Sequence, residues 1–142
     1  MISPKKKLLL LHSSNDLYGA SKIFLQLIDL FISKDFNVHV VLPEKGKLDV
    51  FLNKKNIKID GPFPADTIFL EEQSNKYDII IGMYHDQVLT PIKTLFGFKA
   101  INITLGLPFL RISPDHGPNV KMLGENKSSP ESLIQAIKFL NK

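Results

Sequence analysis

The sequence predicts an α/β fold: a single three-layer domain with a mostly parallel, Rossmann-like sheet. Three observations carry this. Short apolar runs alternate with stretches in which apolar residues recur at three- and four-residue spacing, the periods of buried strand and amphipathic helix. The first strand, helix and strand form a βαβ unit, which implies parallel strands joined by a right-handed crossover. Finally, 142 residues with 44% hydrophobic and 23% charged make one ordinary globular domain, with room for a core but not for two complete lobes.

Each element follows in turn. Residues 7–12 are an apolar run after a basic lead and before Ser13, Ser14, Asn15 and Asp16, so they read as a buried strand entering a polar, ligand-facing loop. Over 20–33, Ile23, Phe24, Leu27, Ile28, Leu30 and Phe31 give a helix with one broad buried face. Residues 37–42 (N-V-H-V-V-L), stopped by Pro43, give a second strand. A shorter helix is expected over 48–55 and a third strand at Ile57 and Ile59. Beyond Asp60 the texture changes: residues 1–60 contain two Gly and two Pro, residues 61–142 six Gly and seven Pro. The second part therefore relies more on turns and fixed backbone angles. It is expected to hold a strand over 77–82, a helix over 89–96 entered near Pro91, a strand over 100–104 and a helix over 130–140. Ser128 or Ser129 is expected to cap the last, with Pro130 in its first turn.

Composition removes several function classes. With no cysteine, the chain can form no disulfide framework, zinc-thiolate site, iron–sulfur cluster or thiol nucleophile, a usage compatible with the cytoplasm. Lys5, Lys6 and Lys7 before four leucines resemble a signal peptide, but the apolar run is too short for export, and no stretch is long enough to span a membrane. The expectation is a soluble, cytoplasmic protein. Net charge is +4; residues 1–58 carry ten lysines against five acids, residues 59–142 eight basic residues against nine acids. Scattered lysine of this kind reads as solubility, and without an arginine-rich or aromatic-interleaved stripe nucleic acid is not an expected partner.

Four stretches of the second part are too specific to be composition: residues 61–67 (G-P-F-P-A-D-T), 83–87 (M-Y-H-D-Q), 102–111 (N-I-T-L-G-L-P-F-L-R) and 115–117 (D-H-G). In this order and spacing they resemble the C-terminal part of the 4-hydroxythreonine-4-phosphate dehydrogenase family of pyridoxal phosphate biosynthesis, over about 57–142. Residues 1–56 match something else. The loop Leu17, Tyr18, Gly19, Ala20, Ser21 opening a long helix, followed by the strand at 37–43, resembles the opening βαβ of a GT-B glycosyltransferase. The chain therefore reads as a chimera joined between residues 48 and 60, where either family places a helix, a turn and a short strand, so that a swap preserves the fold.

The dehydrogenase resemblance implies NAD or NADP, a divalent metal (Zn, Co or Mg) and a phosphorylated small-molecule substrate, and it leaves a homodimer open. It places His85 among the metal ligands, Lys93, Asn102 and Arg111 on the substrate, and Asp115, His116 and Gly117 near the cofactor. Arginine suits such a substrate because its planar fork binds phosphate or carboxylate through two bonds. Read singly, each of these residues has an ordinary structural role. The family's other two metal histidines lie in a half that this chain replaces; His12 and His39 sit outside its motifs, and His39, within an apolar strand, reads as structural. No catalytic residue is singled out. Three functions follow: a metal-dependent, nicotinamide-linked dehydrogenase of 4-phosphooxy-L-threonine, inactive alone because half the site is missing; a glycosyltransferase lobe; or a catalytically silent α/β domain.

Overall fold

The computed structural model describes residues 4–61, 67–118 and 120–141. The chain divides into two compact units, Met1–Pro91 and Ile92–Lys142.

The first unit is built from β1 (Lys7–Leu11), α1 (Ala20–Ser33), β2 (Asn37–Val41), α2 (Lys47–Lys54), β3 (Lys58–Ile59), the single turn α3 (Glu71–Ser74) and β4 (Ile79–Gly82). Its four strands lie in the order β3-β2-β1-β4, all parallel. The strand β4 comes from beyond Asp60 yet pairs with β1, Leu8 opposite Ile79. One sheet thus spans the change in composition.

Strand alternation sends side chains to opposite faces, and both faces are covered here. Leu8, Leu10, Val38 and Val40 meet Phe24 and Ile28 of α1 and Leu48 and Leu52 of α2. On the reverse face Leu9, Leu11 and Val41 pack with Ile68, flanked by Phe69, Tyr77 and Ile80. Burying each of these large side chains stabilises the fold by roughly 1.5–3 kcal/mol. The helix α1 runs over the residues its periodicity predicts, and Gly19 at its amino end takes the left-handed φ of 49° that a residue with a Cβ rarely adopts.

Four local expectations are corrected. The helix α4 (His85–Phe96) starts four residues before 89 and carries Pro91 inside it, where the ring removes one helix hydrogen bond and crowds the Gln87 carbonyl. Gly82 makes the sharp entry possible: a Cβ there would come within 2.6 Å of Val88 Cγ1. The turn α3 was not foreseen. In the second unit, Arg111–Pro114 forms a further strand, β6, antiparallel to β5 (Ile101–Thr104). Finally, α5 (Glu131–Leu140) has Pro130 itself at the cap position with no side-chain cap, and Ser129 Oγ is only a distant acceptor, 3.4 Å from the Glu131 N–H.

The helix α5 packs on the β5–β6 hairpin, and Ser132 ties them together. Its hydroxyl donates to the Ala100 carbonyl at 2.6 Å and accepts the Asp115 N–H at 2.9 Å. Among the described residues no helix is long and apolar enough to cross a membrane.

Candidate functional site

His85 opens α4 and belongs to the first unit. Its imidazole is 79% exposed, and its one polar contact places Nδ1 3.2 Å from Oδ1 of Asp86, itself 95% exposed. It is therefore a helix-start residue. A catalytic metal normally takes three protein ligands and an open position. His85 and Asp86 are two neighbours on one turn, and among the described residues no three His, Asp or Glu side chains gather as ligands would. The metal implied by the resemblance does not fit this chain alone.

The other six candidates lie in the second unit. The antiparallel register puts Asn102 opposite Ser113 and Thr104 opposite Arg111. Cross-strand partners share a face, as do residues two apart on a strand, so Asn102, Thr104, Arg111 and Ser113 line one face of the hairpin. Arg111 Nη1 donates to Thr104 Oγ1 at 2.8 Å, which fixes the guanidinium over the exposed face. Thr104 was missed as a positioning residue; its place two residues after Asn102 on a strand was the available signal.

Lys93 is brought to the loop that the resemblance places near the cofactor. Its Nζ lies 2.9 Å from Oδ2 of Asp115 and also donates to the Asp115 carbonyl. Asp115 is held a second time through its N–H on Ser132 Oγ. His116 is exposed, with Nδ1 3.3 Å from the Gly117 carbonyl oxygen, and a Cβ on Gly117 would touch nothing. Of the motif at 61–67, residues 62–66 lie outside the described residues.

The remaining histidines are buried. His39 Nδ1 lies 2.5 Å from Asp60 Oδ2, and the Tyr77 hydroxyl donates to the same oxygen at 3.2 Å. Burial works to raise the Asp60 carboxyl, but the hydrogen bond and charge of His39, then Lys58 and Tyr77, hold it below the ordinary carboxylate value. Burial first, then the Asp60 charge and hydrogen bond, push the Tyr77 phenol up to about 12. His39 thus plays the structural role its apolar strand suggests.

The parallel sheet with helices on its flank defines a Rossmann-like α/β protein, and its second unit adds a hairpin that carries an amide and a guanidinium on one face. The family description "Pyridoxal phosphate biosynthetic protein PdxA" matches residues 50–140, and the chain belongs to that family. It is 45% identical over 91 residues to a 4-hydroxythreonine-4-phosphate dehydrogenase of Xanthobacter autotrophicus, covering 64% of this chain and 26% of the relative. To the enzyme of the same name from a Ruegeria species it is 47% identical over 88 residues, 62% of this chain and 27% of that one. The chain therefore spans about a quarter of the length of the curated relatives it matches. A solved structure from Salmonella typhimurium, assigned as a 4-hydroxythreonine-4-phosphate dehydrogenase, aligns with 95% of this chain and 37% of its own at 30% identity and a TM-score of 0.53. Fold likeness thus reaches into residues 1–49, where the family match does not.

Proposed function

We propose that this chain carries part of a 4-hydroxythreonine-4-phosphate dehydrogenase: the edge that recognises an anionic, phosphorylated small molecule through Arg111, Asn102 and Lys93. The observation that supports it is the hairpin register, which sets Asn102 and Arg111 on one face within the matched span. Arg111 is the principal anion donor, oriented by Thr104, and Asn102 supplies an amide two residues from Thr104 on the same strand. Lys93 shares its charge with Asp115, so an anion binding there displaces or joins that carboxylate. Asp115, His116 and Gly117 form the loop assigned to NAD or NADP, and His85 is one ligand of a metal site whose other ligands are not found among the described residues. The chain is a cytoplasmic protein, acts as one α/β domain, and does not turn over substrate by itself.

The test is calorimetric titration with 4-phosphooxy-L-threonine, followed by an assay of nicotinamide reduction with Zn²⁺, Co²⁺ or Mg²⁺. Saturable binding is expected, weakened at least about tenfold, or about 1.4 kcal/mol, in Arg111→Ala. Unchanged affinity in that variant would remove Arg111 from the site. Metal-dependent reduction of NAD or NADP by this chain alone would overturn its catalytic incompleteness.

A second reading concerns residues 1–49, which lie outside the family match. The loop at 16–21 and the strand at 37–43 support a glycosyltransferase-like origin for this segment and hence a chimera. The Salmonella likeness supports the companion idea that the join preserved the fold.

A further inference from the structure

A cavity of about 320 Å³ lies beyond the carboxyl ends of β1 and β2 and extends to the first turn of α4. From β1 the chain reaches β2 on one side of the sheet and, later, β4 on the other. The carboxyl ends of parallel strands are the side on which open α/β sheets hold ligands. Most of its wall is apolar, from Leu11, Val41, Leu42, Pro43 and Ile68. The polar contributors are His12, Ser13 and Gln87, and none of the lining residues is a lysine, arginine or carboxylate.

His12 is the unusual member. It is 3% exposed, and its ring lies stacked with Phe24 at 4.6 Å and with Tyr84 at 6.0 Å. Its Nε2 is 2.8 Å from Ser21 Oγ, and Ser21 Oγ is in turn 3.0 Å from Asp16 Oδ1. The Tyr18 N–H, then the hydroxyls of Ser14 and Ser21, hold the Asp16 carboxyl below its ordinary value, so it is an acceptor only. Ser21 has one proton and gives it to Asp16. The hydroxyl can then only accept from His12, which puts the imidazole proton on Nε2. Burial keeps the ring neutral against the opposing charge of Asp16. What remains is the Nδ1 lone pair, buried and without a hydrogen-bond partner.

We propose that this cavity binds a neutral, mainly apolar molecule whose hydroxyl donates to Nδ1 of His12. An anion is disfavoured because no cation lines the wall and the Asp16 carboxylate, bound to the Ser21 hydroxyl that His12 also meets, lies close by. A cation finds no carboxylate on the wall. A single water would satisfy Nδ1, but the space is many times that of one water and its walls are apolar. The site uses residues of the opening βαβ together with Gln87 of the dehydrogenase-like motif, and it stands independently of the function proposed above.

The probes are p-cresol and toluene, matched in shape and differing by the hydroxyl, added to the full chain labelled with ¹⁵N-histidine. His12 is expected to show the Nε2-protonated tautomer, with an Nδ1 resonance that shifts saturably with p-cresol, and toluene is expected to bind at least tenfold more weakly. His12→Phe keeps a ring beside Phe24 and Tyr84 and should bind both probes alike, while Ile68→Trp, which fills the cavity, should bind neither. A proton on Nδ1, equal affinities of the wild type for the two probes, or no saturable shift would each overturn the proposal. The wild-type tautomer and the probe pair decide the matter even if a variant fails to fold.

Discussion

The two units place their apolar residues in opposite ways. In Met1–Pro91, Leu8, Leu10, Phe24, Val40, Leu48 and Leu52 are fully buried, and each face of the sheet has its own cluster. In Ile92–Lys142, Ser132 and Ala136 are the buried residues among those described, while Leu105 and Leu123 are each 85% exposed and Val120 81%. Even the amphipathic α5 leaves Leu133, Ile137 and Leu140 about half exposed. The same periodicity that identifies a helix therefore says only that a face needs covering. This chain spans about a quarter of the length of its relatives. The second unit is organised instead by polar ties: Ser132 between α5 and the hairpin, and Lys93 on Asp115.

The largest expected effect tests the apolar side of this contrast. Phe24→Ala should cost about 3–5 kcal/mol in urea unfolding of the full chain, since it empties a fully packed position. Leu123→Ala should stay within about 0.5 kcal/mol. Comparable losses from the two substitutions would break the comparison.

The polar side is tested by Ser132→Ala, which leaves the Ala100 carbonyl and the Asp115 N–H without their partner. A loss of about 1–3 kcal/mol is expected, confined to the second unit. Native-state hydrogen exchange should show faster exchange in β5 and β6 with β1 amides unchanged. Equal acceleration in β1 would mean that the two units open together.

Legibility in the sequence divides along the same line. In the first unit, burial and periodicity agree, so α1 runs over the predicted residues and the strands at 7–12 and 37–42 each come within one residue. The strand β6 was hidden because Arg111 was read as a ligand contact, and nothing in the alternation of R-I-S-P, ending in proline, suggests a paired strand. Pro91 misled in the other direction, as a helix-start signal that the fold tolerates inside α4. Asn102 and Arg111 were named from motif alone, and only the register shows that they share a face. Lys93 and Asp115 were assigned to substrate and cofactor, yet the pair bond each other, a pairing across 22 positions that no local pattern encodes. The link from Asp16 through Ser21 to His12 was likewise invisible, because tautomer choice depends on three side chains meeting in space.

Two titrations sharpen the picture of the first unit. Burial lowers the His12 pKa from its ordinary 6.5. As pH falls through that value the unfolded chain takes up the proton first, so the contribution to stability is full above 6.5 and is lost as pH drops toward the lowered folded value. Urea midpoints followed downward from pH 7 should decline more gently in His12→Phe than in the wild type. Identical slopes would show that His12 carries no such linkage.

The smallest effect comes from Tyr77, on the sheet face opposite α1. Its hydroxyl donates to Asp60 Oδ2 at 3.2 Å, a bond whose removal in Tyr77→Phe should cost about 0.5–1.5 kcal/mol at neutral pH. The sign at alkaline pH is opposite to that of His12. The folded pKa stands at about 12 against an ordinary 10.0, so the stabilisation is intact below pH 10 and is lost as pH rises toward 12. Ultraviolet titration should show one tyrosinate forming near pH 12 that is absent from Tyr77→Phe. If every tyrosine of the wild type ionises near pH 10, Asp60 does not hold the Tyr77 proton, and the polar cluster with His39 on that face is weaker than its distances suggest.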